Sequence, residues 1–184
     1  MFQKFAIGLS TLVTFLSINS FAQYMGVEVG VRQQSTSAVT AGVSTNTEMA
    51  MQFGLVGAFA ISEPILFRTG FLYTQRPVTV KGTASDTKFT FNYFDIPLTL
   101  MWKFNEFGGV YGGVNLALIA SADCSGLACP ASVDKKGAMP LVIGGTFKFA
   151  PNFGVDVYYE ALNNVNDSFK DGRAVGANLL ITFD

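Results

Sequence analysis

Strict alternation of apolar with polar or small residues is the feature that most constrains the fold of this chain. Between residues 25 and 32, methionine and valine occupy every second position, and glycine, glutamate and arginine occupy the positions between them. Successive side chains of a β-strand point to opposite faces, so this pattern predicts a strand with one apolar and one polar face. The same pattern recurs in seven further segments, which begin at or near Glu48, Ile65, Lys88, Val110, Leu141, Phe153 and Val175.

The lengths of the segments and of their connections indicate a membrane barrel. The segments span roughly 10 to 16 residues, whereas a tilted membrane strand needs about 9 to 11 and soluble strands usually have about five or six. Short connections alternate with long ones, as in outer-membrane barrels with tight periplasmic turns and long external loops. The tight turns fall at 62–64, 105–107 and 150–152, and the longer connections at about 35–47, 78–87, 121–136 and 163–172. We therefore predict an all-β fold, an eight-stranded antiparallel up-and-down transmembrane β-barrel after an N-terminal signal peptide.

The fourth strand should contain a β-bulge. From Phe94 to Phe104 the apolar residues fall on even positions, whereas Phe89 and Phe91 are on odd ones. A β-bulge inserts one extra residue into a strand, and this would bring the apolar residues on its two sides into a single alternating pattern. We therefore expect a bulge near Asn92–Tyr93.

The first 22 residues have the composition of a secretory signal. Lys4 gives a positive start, 5–18 is an apolar run, and Ser20-Phe21-Ala22 supplies small residues before a cleavage point. A membrane-anchor helix is the alternative, but a single span needs about 20 apolar residues and this run is shorter. We therefore predict a signal peptide at 1–22 and a barrel domain at 23–184.

Alternation alone does not say which face of the sheet points inward. The chain is 49% hydrophobic and only 14% charged, which fits either a barrel in lipid or a soluble barrel with an apolar interior. Strand length, the low charge and aromatic residues close to the tight turns favour lipid outside. We expect a periplasmic aromatic girdle of Phe67, Trp102, Phe104, Phe149, Phe153 and Phe183.

Most ionisable residues of the strands lie on the face opposite the apolar one. An Arg or Lys facing lipid at the midplane costs roughly 2–4 kcal/mol, and the interior of an eight-stranded barrel is just wide enough for side chains to fill. We expect a paired polar network in the lumen, with an ion or proton path as the alternative. Its residues are Glu28, Arg32, Arg68, Arg76, Asp95, Lys103, Lys148, Asp156 and Glu160.

Two cysteines, Cys124 and Cys129, remain in a chain predicted to be exported. An oxidising compartment favours a disulfide that closes a short loop, with two free thiols as the alternative. Zinc is not expected, because the chain has no histidine and no second cysteine pair.

The search for catalytic groups gives no candidate. The absence of histidine excludes Ser-His and Cys-His mechanisms. Asp156 and Glu160 are about 13 Å apart along one strand, too far for a carboxylate dyad. The oxygen-rich segment 163–168 and Asp171 lack EF-hand spacing and suit a solvated loop. We predict no enzymatic activity, no metal and no cofactor.

The charge balance bears on the partners. Without Lys4, the predicted mature chain has 11 basic and 13 acidic residues. This balance excludes a strongly basic nucleic-acid binder.

The segment 93–104, with the sequence YFDIPLTLMWKF, resembles a strand of the outer-membrane-protein β-barrel family, including its PorT-like members. The whole of 23–184 is more loosely similar to the small OmpA/OmpX-type barrels. The last segment, 175–183, resembles the alternating signal that barrel-insertion machinery reads, although Asp184 follows the terminal Phe183.

The resemblance implies an outer-membrane location and a structural or surface-interaction role through the long external loops. The alternatives are a narrow channel or small-solute transporter, and a soluble periplasmic lipocalin-like binder of an apolar ligand. The expected partners are outer-membrane lipid and lipopolysaccharide, the insertion machinery during biogenesis, and a protein or surface at the loops, but no nucleic acid.

Overall fold

The computed structural model describes residues 22–38, 44–81, 86–126, 129, 137–164 and 169–183. The predicted signal peptide lies outside these residues except for Ala22, and so do parts of all four long connections. Within the described ranges, no helix is long and apolar enough to cross a membrane.

In the described part of the chain, eight long strands and one short strand form a single closed sheet. Neighbouring long strands are antiparallel, the first pairs with the last, and the pairing of β4 with β5 completes the ring. The predicted eight-stranded up-and-down barrel is therefore confirmed, with a two-residue strand, β2, added beside β4. The strands are β1 Ala22–Ala38, β2 Thr45–Asn46, β3 Glu48–Ser62, β4 Ile65–Val80, β5 Thr87–Lys103, β6 Gly108–Ser125, β7 Leu141–Ala150, β8 Phe153–Asn164 and β9 Phe169–Thr182.

The apolar rows of the strands face outward and the polar rows face the lumen. Leu55 is 56% exposed and Val157 is 47% exposed, whereas Asp156 on the opposite face of β8 is fully buried. This orientation confirms the prediction that lipid is outside. The alternative of a soluble barrel with an apolar interior is wrong, because that barrel would have its apolar rows inside, whereas here they face outward.

The predicted bulge in the fourth long strand is confirmed. The register between β5 and β6 shifts between Asn92 and Tyr93. Phe91 and Tyr93 both point inward and are 1% exposed, and beyond the bulge the apolar residues turn outward again.

The strands extend further outward than the sequence predicted. We define the outer extension as Gln75–Val80 of β4, Thr87–Asn92 of β5 and Ser121–Ser125 of β6, which are paired with one another. It rises about 15 Å beyond the last outward aromatic residues, allowing for strand tilt. Its inner side packs an apolar cluster of Val78, Phe91, Tyr93, Ala117 and Ala138. The serines and threonines here, which suggested loops, instead take part in the backbone ladder.

The predicted disulfide between Cys124 and Cys129 is present. Cys124 pairs with Phe89 near the outer end of β6. The bond therefore belongs to the outer extension, beyond the polar network of the lumen.

Candidate functional site

The charged side chains in the lumen form two tiers, each assembled from several strands. The lower tier, nearer the tight turns, consists of Glu28, Arg68, Tyr111, Thr146, Asp156 and Asn178. The upper tier, nearer the outer extension, consists of Arg32, Arg76, Asp95, Asn115 and Glu160. The inward phase of the strands brings these residues together, although they are widely separated in sequence.

Arg68 is the centre of the lower tier. Its Nη2 atom lies 2.5 Å from Glu28 Oε1 on β1 and 3.4 Å from Asp156 Oδ2 on β8. Its guanidinium also lies over the Tyr111 ring, 4.4 Å from the ring centroid, a geometry that attracts a cation to the aromatic face. One arginine therefore links opposite walls of the barrel.

Neutral side chains satisfy the remaining carboxylate oxygens of the lower tier. Tyr111 donates its hydroxyl to Asp156 Oδ1 at 2.7 Å, and Thr146 donates to Oδ2 at 2.8 Å. Asn178 Nδ2 donates to Glu28 Oε2 at 3.1 Å. Such bonds offset the cost of burying charge, which is large for an unpaired ion.

Arg76 and Glu160 are the centre of the upper tier. Arg76 binds Asp95 through both terminal nitrogens, at 3.0 and 2.8 Å, the forked geometry of the stronger charge-assisted pairs. Its Nη2 also lies 3.2 Å from each oxygen of Glu160. Glu160 accepts further bonds from Arg32 Nη2 at 2.7 Å and Asn115 Nδ2 at 3.2 Å.

Two inward glycines make room for large inward aromatics. A Cβ at Gly144 would overlap the ring and hydroxyl of Tyr111, and a Cβ at Gly176 would overlap the ring of Tyr158. Tyr158 in turn donates to Gln52 Oε1 at 2.7 Å. Glycine at these positions therefore allows aromatic rings to fill the lumen beside the ion pairs.

The network leaves little free space within the barrel. One cavity among the lower-tier residues and one beside Arg32 and Glu160 each measure about 10 Å³, enough for about one water molecule. The arrangement is suited to holding opposite walls together and closing the lumen.

The structure places the predicted lumen residues at two depths. Seven are buried and lie in the two tiers: Glu28, Arg32, Arg68, Arg76, Asp95, Asp156 and Glu160. Asp95 binds Arg76 in the upper tier. Lys103 and Lys148 point inward but are half-buried at the mouth beside the tight turns, below the tiers.

The hydrogen-bonding partners of the carboxylates were not predicted. Tyr111, Asn115, Thr146 and Asn178 all lie in the inward phase of their strands, so alternation identified their face. Which of them meet across the lumen depends on the stagger of the strands around the barrel, which the sequence pattern does not specify.

The six predicted girdle residues all lie on the outer surface near the tight turns. Phe67 is partly exposed. The other five, Trp102, Phe104, Phe149, Phe153 and Phe183, are between 44% and 62% exposed.

No metal site was found in the part of the chain that the structure describes: no three His, Cys, Asp or Glu side chains there could hold an ion together. The oxygen-rich segment 163–168 lies outside the residues whose side chains are described.

Comparison with known proteins agrees with this geometry. Residues 21–169 match the family model described as an outer membrane protein beta-barrel domain. The crystal structure of Ail, the attachment invasion locus protein of Yersinia pestis, is similar with a TM-score of 0.59 and 18% identity, covering 87% of this chain and 98% of that one. Neisserial surface protein A gives a TM-score of 0.52 and 15% identity, covering 86% and 97%. At these identities the two structures establish the fold alone. No curated protein matches the sequence.

Proposed function

This chain belongs to the outer membrane protein β-barrel family, and from that premise we propose that it is a closed, non-enzymatic barrel that presents a contact surface outside the cell. As a member of this family it is an integral protein of the outer membrane. Its role there rests on two features, the filled lumen and the outer extension.

The observation that carries the proposal is that ion pairs cross the lumen. Arg68 on β4 reaches carboxylates of β1 and β8, and Arg76 reaches those of β5 and β8. All of these groups are buried. To pass through the lumen, a solute would have to separate these ion pairs. Because the pairs are buried, water could not replace the lost partners, so separating the charges would be costly at each tier. The barrel therefore acts as a rigid support and not as a conduit.

The outer extension supplies the contact surface. Paired strands and the apolar cluster beneath them hold it in one shape. Recognition is commonly carried by segments that project from a rigid scaffold. A protein partner or a cell surface is the expected ligand, because no metal-binding or catalytic group has been identified in this extension.

The aromatic girdle and the strand ends fit this role. We infer that Trp102 and its neighbours lie at the periplasmic boundary of the bilayer, where aromatic side chains are favoured. Outer-membrane lipid and lipopolysaccharide then surround the apolar rows, and insertion machinery delivers the chain to the membrane.

We expect purified protein in planar bilayers to show no steady open level above that of the bare membrane. The reason is that both tiers block the lumen. Single-channel recording checks this, with a porin as the positive control. A long-lived open state of appreciable conductance would contradict closure and favour the alternative, a narrow channel for small solutes.

We expect shortening of the outer extension to abolish surface contact without unfolding the barrel. Val78 and Phe89 are paired partners, so replacement of residues 79–88 by Asn-Gly joins them through a two-residue hairpin turn. Cells displaying the full or the shortened barrel would be compared for adhesion to other bacteria, animal cells and matrix-coated glass. We expect cells with the full barrel to adhere to at least one of these surfaces. Adhesion of cells with the shortened barrel should be about tenfold lower. Adhesion of the full barrel no greater than that of cells lacking it would count against the proposal.

A further inference from the structure

We propose that the outer face of the barrel carries a binding site for the sugar headgroup of an uncharged glycolipid, where Gln75, Asn92 and Ser121 border an aromatic surface. The site depends on the membrane location of the barrel but not on contact through the tip of the outer extension. It would hold one class of outer-leaflet lipid against one wall of the barrel.

Three polar side chains lie side by side at the base of the outer extension. Gln75 on β4 pairs with Asn92 on β5, and Asn92 pairs with Ser121 on β6. The neighbouring residues Arg76 and Phe91 are buried on the lumen side, so Gln75 and Asn92 point outward by strand alternation, and Ser121 shares their face. We call these three residues the polar row.

An aromatic row lies directly below the polar row on the same face. It consists of Phe53, Tyr73 and Phe94, which are also in register across β3, β4 and β5. Ring centroids are 5.2 Å apart for Phe53 and Tyr73 and 5.9 Å apart for Tyr73 and Phe94. Two residues along a strand separate the rows, which is about 7 Å. One sugar ring on the aromatic surface would therefore have hydroxyls within reach of the polar row.

The polar row is held in position by strands and by its own hydrogen bonds. Asn92 Nδ2 donates to Ser121 Oγ at 2.8 Å and lies 3.5 Å from Asp123 Oδ2. Ser121 Oγ in turn donates to Asp123 Oδ2 at 3.4 Å. Side chains fixed on paired strands lose little freedom when a ligand binds, which favours binding.

An acceptor of the polar row has no donor. Asn92 is 8% exposed, and its Oδ1 accepts no hydrogen bond in the described part of the chain. Because Nδ2 is directed at β6, Oδ1 is turned away from Ser121, and Gln75 is the register partner on the other side. A buried acceptor without a donor is costly. Gln75 is only half-buried and has a flexible side chain, so a ligand hydroxyl could move it aside and donate to Oδ1.

The chemistry of the two rows selects an uncharged, hydroxyl-rich ligand with an apolar part. Amide and hydroxyl groups bind sugar hydroxyls, and aromatic rings pack against the C–H face of a sugar. Asp123, which contacts the polar row, would repel a phosphate or a carboxylate.

The aromatic row also continues into the lipid-facing belt. Phe71 stacks on Phe94 with ring centroids 4.8 Å apart and is 48% exposed. The acyl chains of a glycolipid would therefore lie along the belt while its sugar reaches the polar row. A soluble sugar would use only half of this surface.

The binding test uses the full mature barrel in phosphatidylcholine nanodiscs that contain increasing fractions of diglucosyl diacylglycerol. Amide NMR signals of Thr74 and Tyr93, which adjoin the polar row in sequence, report occupancy. We expect shifts that saturate with the glycolipid fraction. Gln75→Ala and Asn92→Ser should each weaken binding about three- to tenfold, the usual effect of losing one hydrogen bond. Tyr73→Leu keeps the side chain apolar and should weaken binding by a similar factor.

The matched control is Gln33→Ala. Gln33 is an exposed outward glutamine of β1 that pairs with Met49 and Val175, away from the aromatic row, so its loss should leave binding unchanged. Folding of every variant is checked by the resistance of its electrophoretic mobility to unheated SDS. Non-saturating shifts, or shifts that survive in the folded double variant Gln75→Ala/Asn92→Ser, would overturn the proposal.

A second arm tests the identity of the ligand. Phosphatidylglycerol at the same fractions should cause no saturable shift, and free maltose should bind at least tenfold more weakly than the glycolipid. Equal effects from either would overturn the assignment to a glycolipid. The barrel shortened at 79–88 keeps both rows, so it should bind the glycolipid even though it no longer adheres to surfaces. Failure of this site is therefore distinguishable from failure of surface contact.

Discussion

Replacement of Arg68 by methionine is expected to lower the free energy of unfolding by about 3–5 kcal/mol, the range for removal of one partner from a buried ion pair. The substitution keeps most of the side-chain volume but leaves Glu28 and Asp156 without their cation. Both carboxylates are buried, so water cannot replace it. Reversible urea unfolding in lipid vesicles at pH 8, where carboxylates of the unfolded chain are ionised, measures the loss.

Two variants separate the ion-pair effect from a general effect of arginine removal. Arg173→Met removes an exposed arginine of β9 and should change stability by less than about 0.5 kcal/mol. Adding Glu28→Gln and Asp156→Asn to the Arg68 variant removes the unpaired charges and should restore most of the loss. A loss below about 1 kcal/mol for Arg68→Met would mean that the lower tier is accessible to water.

The second large effect concerns the outer face. Val157→Arg places a cation in the middle of an apolar row on β8, where the valine is 47% exposed. We expect insertion to cost about 2–4 kcal/mol, because the side chain meets hydrocarbon at the midplane. The same vesicle unfolding assay measures it.

The control for depth is Met49→Arg. Met49 is also outward and 62% exposed, but it pairs with Gln33 near the outer end of the apolar rows. A cation there reaches the headgroups, so we expect a cost of about 0–1 kcal/mol. Equal losses for the two variants would contradict the assignment of the outward rows to a lipid-facing belt.

The sequence was sufficient for the fold because side-chain direction follows from strand periodicity. The inward positions of Glu28 and Asp156 required only a period of two. The bulge at Asn92–Tyr93 could also be predicted from the sequence, because the phenylalanines change from odd to even positions across it. The outer ends of β4 and β6 were missed because their serines and threonines have loop-like composition, whereas strand pairing there depends on the backbone and on Phe91 beneath it.

The partners within the lumen were beyond sequence reasoning for a geometric reason. Arg32 and Glu160 are 128 residues apart and meet at 2.7 Å. Their contact depends on the stagger and tilt of the strands and on the reach of a long side chain. If one strand shifted by two residues relative to its neighbour, each of its side chains would stay on the same face of the sheet but would meet different partners.

The pairing of β1 with β9 has a consequence for biogenesis. Glu28, on the first strand, accepts one of its hydrogen bonds from Asn178 on the last strand. An incomplete chain therefore holds ionised groups whose partners have not yet been synthesised or docked, and its lumen must stay hydrated. Water can leave the lumen only when β1 and β9 pair, so closure of the barrel is a late step of folding.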